Sequence, residues 1–567
     1  MLKKLTTPEG ENLRGTPWTV YPRPQMKRDS YLNLNGEWDF AVSEREPASY
    51  AQTILVPFCP ESELSTVGVH FPEGMPLWYH RRVVLPEGFH RGRVLLHIGA
   101  ADQSTEVYVN GTCVGSHEGG YDAFSFDITD SLQDENAIVI CCKDDLRNQS
   151  YPYGKQVLPE KRGGMWYTPV SGIWQTVWLE SVPERHIQRM KIENRGYGVT
   201  ISVEPEMEGQ VTVSGLGEFS LEQGKVTITP EQPHLWSPED PYLYDFVLEA
   251  GEDRVESYFA IRSLEIRKVG KYQRLCLNGK PYFFHGLLDQ GYWPDGIFTP
   301  AGPECYEKDI VSMKKLGFNT LRKHIKVEPE EFYYQCDKLG MIVWQDMVNN
   351  GDYGFIRDTA LPTAGFQKRP DERMHRDQLG RSRFLLGMVK TVMQLGNHPS
   401  ICYWTIFNEG WGQFDSNHVY THFKTIDDTR FVDSTSGWFR RKLSDVDSRH
   451  VYFRKVKLEG DGERPIVLSE FGGKICRVDG HIFNLEKSYG YDTCENLEEL
   501  NDAVVKLYMD EVLPSVRKGL CAAIYTQVSD VEDEINGLVT YDRKVEKMQP
   551  EKMLPVAEAL HRAVYEN

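Results

Sequence analysis

From Pro281 to Asp530 the chain repeats one pattern eight times, a short apolar run followed by a connecting stretch, most of which read as helix. The runs are "PYFFHGLLD" (Pro281–Asp289), "NTLRKHIK" (Asn319–Lys326), "MIVWQDM" (Met341–Met347), "ICYWTIFNE" (Ile401–Glu409), "FVDSTSG" (Phe431–Gly437), "HVYF" (His450–Phe453), "PIVLSEFG" (Pro465–Gly472) and "CAAIYTQVSD" (Cys521–Asp530). Apolar residues follow one another here instead of alternating, as expected of strands buried on both faces. Of the helical stretches, "YEKDIVSMKKLG" (Tyr306–Gly317) closes on Gly and "PEEFYYQCDKLG" (Pro329–Gly340) opens on Pro. Eight such strands, within a segment of roughly 300 residues, predict a (β/α)₈ TIM barrel.

The first half has a different rhythm. "LNGEWDF", "WYHRRVVLP", "GRVLLHIGA" and "STEVYVNGTCVG" are dense short strands, and Asn110-Gly111 is a hairpin turn. With no helical stretch among them, they predict a β-sandwich over residues 1–183, ending in "SGIWQTVWLESVP". A second set, from "VTISVEPE" to "VESYFAIRSLEI", predicts an immunoglobulin-like β-sandwich over 184–268, leaving 269–567 for the barrel.

Composition narrows the partners. Lys and Arg number 64 against 83 Asp and Glu, a net charge of −19, which disfavours nucleic acid and anionic membrane surfaces. No apolar run reaches about 18 residues, so no membrane span is expected. The start "MLKKLTTPEGENLRGTPW" has no apolar signal-peptide core, and the 11 scattered cysteines include no C-x-x-C pair. Together these point to a cytoplasmic protein with reduced thiols, no metal and no cofactor. A homo-oligomeric state is left open.

Chemistry in a barrel sits at the C-terminal strand ends, so polar residues there matter. Glu409 ends the fourth strand and Glu470 the seventh. Those ends face each other across the mouth, and two carboxylates on either side of one bond are what glycoside cleavage needs. One protonates the leaving oxygen, and the other attacks the anomeric carbon or activates a water. Asn408, beside Glu409, offers an amide to a sugar hydroxyl.

These segments carry a resemblance. "WTIFNEGWG", "PIVLSEFGG", "VSGIWQTVWLE", "LNGKPYFFHGLLD" and "LGFNTLRKH", in this domain order, resemble glycoside hydrolase family 2. The resemblance covers nearly the whole chain and names the first sandwich as a sugar-binding jelly roll. It implies a retaining, exo-acting double displacement on a small β-glycoside, with Glu409 as acid/base, Glu470 as nucleophile and the two carboxyls about 5 Å apart. Asn408 would bind the sugar 2-hydroxyl, Arg322 would keep Glu470 ionised, and Tyr452 falls where the family has an active-site Tyr.

Other candidate substrate contacts are His324, Asp289, Asp346, Trp293 and, where the family often has Trp, Tyr525. Trp166 and Tyr167 lie on a loop able to reach the barrel mouth, while Trp404 suits core packing. The residues that bind magnesium in large β-galactosidases have no counterpart in Val348–Asp352. Family β-glucuronidases read the sugar carboxylate with Asn-x-Lys after strand eight. Here Asn536 is followed two places on by Leu538, with Asp533 and Glu534 adjacent. A neutral sugar, β-galactoside first, is therefore expected, with a β-uronide as the alternative should Lys326, Arg357, Arg369, Arg373 or Arg376 supply the charge. A sugar-binding protein without catalysis is the rival class, and the complete Glu409, Glu470, Asn408 and Arg322 set argues against it.

Overall fold

The structure is a computed structural model that describes residues 2–349, 353–372 and 374–566. The first half holds two antiparallel sheets facing each other. One runs Tyr31–Asn33, Val177–Val182, Arg93–Ile98, Phe124–Asp127. The other has six strands, ordered Gln52–Val56, Gly36–Val42, Leu77–Val83, Asn136–Lys143, Ser104–Val109, Thr112–Glu118. Alternating inward residues such as Trp38, Phe40, Leu96 and Ile98 form the core between them. A smaller sandwich follows, a three-stranded sheet opposite a four-stranded one between Arg189 and Phe259.

The last half is an eight-stranded, all-parallel sheet with strands β1 (Phe284–Asp289), β2 (Thr320–Lys323), β3 (Ile342–Asp346), β4 (Ile401–Asn408), β5 (Phe431–Ser436), β6 (Asp447–Val451), β7 (Ile466–Gly472) and β8 (Leu520–Thr526). Every residue of β3, β4, β5 and β8 is buried, which explains the apolar runs of β3, β4 and β8, while β5 buries four polar residues, Asp433 to Ser436. Pairing runs continuously from β5 back through β1 to β8, β7 and β6. Among the described residues, no backbone ladder joins β5 to β6. Side chains bridge that seam: Ser436 Oγ lies 3.3 Å from Ser448 Oγ and 3.0 Å from His450 Nε2.

The amino-terminal segment docks on the barrel. Thr7 bonds Asp295 through its backbone N–H and its hydroxyl, and the Trp18 indole donates to the Pro300 carbonyl. The loop Tyr153–Tyr167 of the first sandwich also reaches the barrel: a Cβ at Gly154 (φ +64°) would lie 2.6 Å from the Ile325 carbonyl oxygen. All eleven cysteines are free. Among the described residues, no helix is long and apolar enough to cross a membrane.

Candidate active site

Alternation along the short barrel strands decides which side chains enter the mouth. In β2, Arg322 points inward and is fully buried, and His324 follows it on the same side two residues on. Arg322 Nε donates to Asp346 Oδ1 at 3.0 Å, Nη1 to Glu470 Oε1 at 3.0 Å, and Nη2 to Asn408 Oδ1 at 2.8 Å. One guanidinium thus ties together the ends of β2, β3, β4 and β7. Its rigid fork suits that task as a lysine would not. Asp346 also pairs with His324 Nδ1 at 2.8 Å.

Burial works against ionisation of Glu470. The neighbouring His450, Arg322 and His324, with the hydrogen bond from Tyr452, outweigh it and hold the carboxyl below the ordinary glutamate range. Tyr452 Oη donates to Glu470 Oε2 at 2.5 Å and lies 3.0 Å from Thr526 Oγ1. Tyr491, from the loop after β7, stacks on Tyr452 with ring centroids 3.9 Å apart.

Across the mouth, Glu409 has a left-handed backbone (φ +51°), uncommon away from glycine, at the point where the chain leaves β4. The Ser436 carbonyl holds its N–H at 2.9 Å. One Glu409 oxygen, one Glu470 oxygen and a ring nitrogen of His450 lie within 4.8 Å of one another. These three donors are also close enough to hold a divalent cation. Asn408 Nδ2 is buried without a partner, a donor left for a ligand.

Aromatic rings wall the mouth. Trp166, from the first sandwich, packs on Trp411 at 5.2 Å and on Tyr353 at 4.8 Å. Tyr167 donates to Glu534. Lys155 Nζ lies 4.5 Å from the Trp411 ring centre and 5.6 Å from that of Trp166, and no described residue hydrogen-bonds or pairs with it. Burial pulls its pKa below the lysine range against the attraction of Glu534, Glu470 and Glu409.

Several expected contacts lie elsewhere. Tyr525 faces away from the mouth: its hydroxyl accepts from the Lys474 N–H, and its ring packs on Phe471 and Tyr508. Thr526 takes the inward position, because one residue along a strand reverses the face. Trp293 is buried under the Arg543 guanidinium, 3.9 Å from its ring centre, on the side of the amino-terminal segment. Asp289 accepts from Lys323 Nζ at 2.7 Å and from the Gly291 N–H. Lys326 Nζ is taken up by Glu328 and by the carbonyls of Gly291 and Phe298. Arg357 and Arg369 share Asp358. Arg376 lies in a separate pocket with those two. Arg373 and residues 350–352, the larger part of the magnesium comparison, lie outside the described residues. Trp404 packs outward, with its indole on Asp427.

The sequence reading missed His450, Thr526 and Lys155. His450 was within reach of period-two alternation from Tyr452, and Thr526 stands one place from the expected Tyr525. Lys155 carried no signal, because its place depends on how two domains meet.

The match to known proteins follows this architecture. Residues 268–552 match the family model "Glycosyl hydrolases family 2, TIM barrel domain", 184–262 match "Glycosyl hydrolases family 2", and 69–183 match that family's sugar binding domain. A Bacteroides fragilis protein named β-glucuronidase is 21% identical over 416 residues, 66% of this chain and 56% of that protein. A Thermoanaerobacter pseudethanolicus β-galactosidase is 26% identical over 299 residues, 48% of this chain and 39% of that protein. The chain therefore spans between two fifths and three fifths of these curated relatives. The structure titled as β-D-glucuronidase of Dictyoglomus thermophilum superposes with a TM-score of 0.74 at 19% identity, covering 95% of this chain and 98% of the other, a likeness of fold.

Proposed function

Since the chain belongs to glycoside hydrolase family 2, we propose that it is a retaining, exo-acting β-glycoside hydrolase with Glu470 as nucleophile and Glu409 as general acid/base. One observation carries this reading. Two carboxylates in unlike surroundings face each other across the barrel mouth, with an oxygen of each within 4.8 Å. Carboxyls about 5–5.5 Å apart suit covalent attack, whereas inversion needs about 6.5–9.5 Å to admit a water.

The residues divide the work. Arg322 and Tyr452 keep Glu470 anionic, as attack on the anomeric carbon requires. The glycosidic C–O bond breaks as Glu470 bonds to that carbon, and Glu409 gives its proton to the departing oxygen. A water then attacks the same carbon, Glu409 takes the water's proton, and Glu470 is released. Asn408 Nδ2 donates to the sugar hydroxyl beside the reacting carbon. Leaving that donor unmade costs about 1–3 kcal/mol, which substrate recovers.

The sugar separates two readings. Leu538 in the place of a lysine, with Glu534 nearby, supports a neutral β-hexoside such as a galactoside. Lys155 supports a β-uronide: no described carboxylate pairs directly with this buried ammonium, although Glu534, Glu470 and Glu409 attract it, and a substrate carboxylate would complete it. We put the uronide first, an order that the names of the glucuronidase relatives support.

The test is a 2-fluoro-sugar inactivator followed by peptide mapping. Label on Glu470 is expected, and label on any other residue overturns the assignment.

A further inference from the structure

His450 stands between the two carboxylates, and its contact with Glu409 has no part yet in the chemistry above. Its side chain is fully buried. Nδ1 lies 2.7 Å from Glu409 Oε1 and 3.6 Å from Glu470 Oε2. Nε2 lies 3.0 Å from Ser436 Oγ. That hydroxyl belongs to a cluster across the β5–β6 seam: Ser436 Oγ to Ser469 Oγ is 3.0 Å, and Ser448 Oγ to Ser469 Oγ is 2.6 Å.

The chain makes room for this ring. Gly437 has φ +84°, and a Cβ there would lie 2.5 Å from His450 Nδ1. Trp438 meets the imidazole edge-on at 5.7 Å. The facing titratable groups are Glu409 beyond β4 and Glu470 on β7. Beyond them stand Tyr452, just past the end of β6, and Arg322 on β2. From β5 and the start of β6 come Ser436, Gly437, Trp438 and Ser448, none of which titrates near neutrality.

We propose that His450 is a positioning residue for the acid/base carboxylate: its Nδ1–H holds Oε1 of Glu409, leaving Oε2 to carry the transferred proton. The inference rests on the retaining mechanism proposed above. Proton transfer shows why such a donor matters. In the first half-reaction the Oε2 proton moves to the leaving oxygen as the glycosidic bond breaks, and Glu409 becomes an anion. At the same moment Glu470 loses its charge by bonding to the anomeric carbon. The bond from Nδ1–H then becomes charge-assisted and about twice as strong. It also keeps Glu409 from rotating before it must take a proton from water.

A seam-closing role predicts something different, and two substitutions separate them. In His450→Asn the amide nitrogen overlays Nδ1, so it keeps the bond to Glu409 and loses Ser436. In His450→Gln the amide nitrogen overlays Nε2, so it keeps Ser436 and loses Glu409. The readouts are the basic limb of kcat/KM on an aryl glycoside with a poor leaving group, and kcat on a dinitrophenyl glycoside, where the second half-reaction is limiting. Expected for His450→Gln are a basic limb moved to higher pH, since the anion has lost its donor, and a kcat about tenfold lower. His450→Asn should leave the basic limb in place and lose less kcat than His450→Gln, because the bond to Glu409 survives. Equal behaviour of the two variants, or damage only in His450→Asn, overturns the proposal in favour of the seam. If one variant fails to fold, the other still decides: a normal basic limb in His450→Gln, or a displaced one in His450→Asn, is fatal. Failure here with Glu409→Ala still dependent on the leaving group would leave the retaining mechanism standing.

Discussion

Tyr452 Oη donates a 2.5 Å hydrogen bond to Glu470 Oε2, on the carboxylate whose other oxygen Arg322 holds. The bond favours the ionised carboxyl, and with it the neighbouring charges keep Glu470 below the ordinary glutamate range. Activity should therefore persist into acid and fall only as Glu470 protonates. Removing the donor in Tyr452→Phe raises that carboxyl's pKa, so the acid limb of kcat/KM moves to higher pH. A charge-assisted bond of about 1.5 kcal/mol implies that the limb moves up by about one pH unit. An unmoved acid limb would show that His450, Arg322 and His324 hold the charge without Tyr452.

Substitution at Glu409 should depend on the leaving group. In Glu409→Ala, glycosylation of the enzyme by dinitrophenyl glycosides should survive, because that leaving group needs no proton, while alkyl glycosides lose about 10²–10⁴-fold. Azide should restore turnover and yield the β-glycosyl azide. Glu470→Gly should abolish turnover of every substrate, since no carboxylate remains to form the intermediate. Equal losses at Glu409 for both leaving groups, without azide rescue, would remove it from the acid/base role.

Lys155→Met tests the sugar. If the ammonium pairs with a substrate carboxylate, kcat/KM on an aryl β-uronide falls about 30-fold, near 2 kcal/mol, while an aryl β-galactoside changes little. Faster turnover of the galactoside by the unaltered enzyme, by more than about tenfold, would reverse the order of the two readings.

The β8 register has its own consequence. Thr526→Val, which removes the hydroxyl 3.0 Å from Tyr452 Oη, should lower kcat/KM several-fold. Tyr525→Phe, which loses only the bond from the Lys474 N–H, should change kcat/KM little and lower thermal stability instead. Aryl glycoside kinetics and thermal melts of both variants suffice, and the opposite pattern would place Tyr525 in the sugar pocket.

Arg322 supplies the positive charge beside the nucleophile, so prolonged EDTA treatment should leave turnover nearly intact. Added zinc should inhibit competitively with substrate, because Glu409, His450 and Glu470 offer it three donors within 4.8 Å. Loss of activity in EDTA restored by magnesium would contradict the first expectation.

The barrel and its carboxylate pair were legible in the sequence because both rest on local patterns. Strands buried on two faces must be apolar at successive positions, so β3, β4 and β8 stand out, and the abrupt polar ending at Asn408-Glu409 marks a strand end at the mouth. Arg322 followed from its place late in β2. The facing of single residues was harder, since period two is unforgiving: Tyr525 and Thr526 differ by one position and lie on opposite faces. Tertiary structure alone decided the rest. Asp289 and Lys326 carry charges suited to sugar binding, yet Lys323 and Glu328 consume them, and nothing local announces such pairing. Lys155 enters the site only because the first sandwich docks on the barrel. His450 meets Glu409 only because the barrel closes, bringing β6 beside β5 through side chains where the backbone ladder is missing.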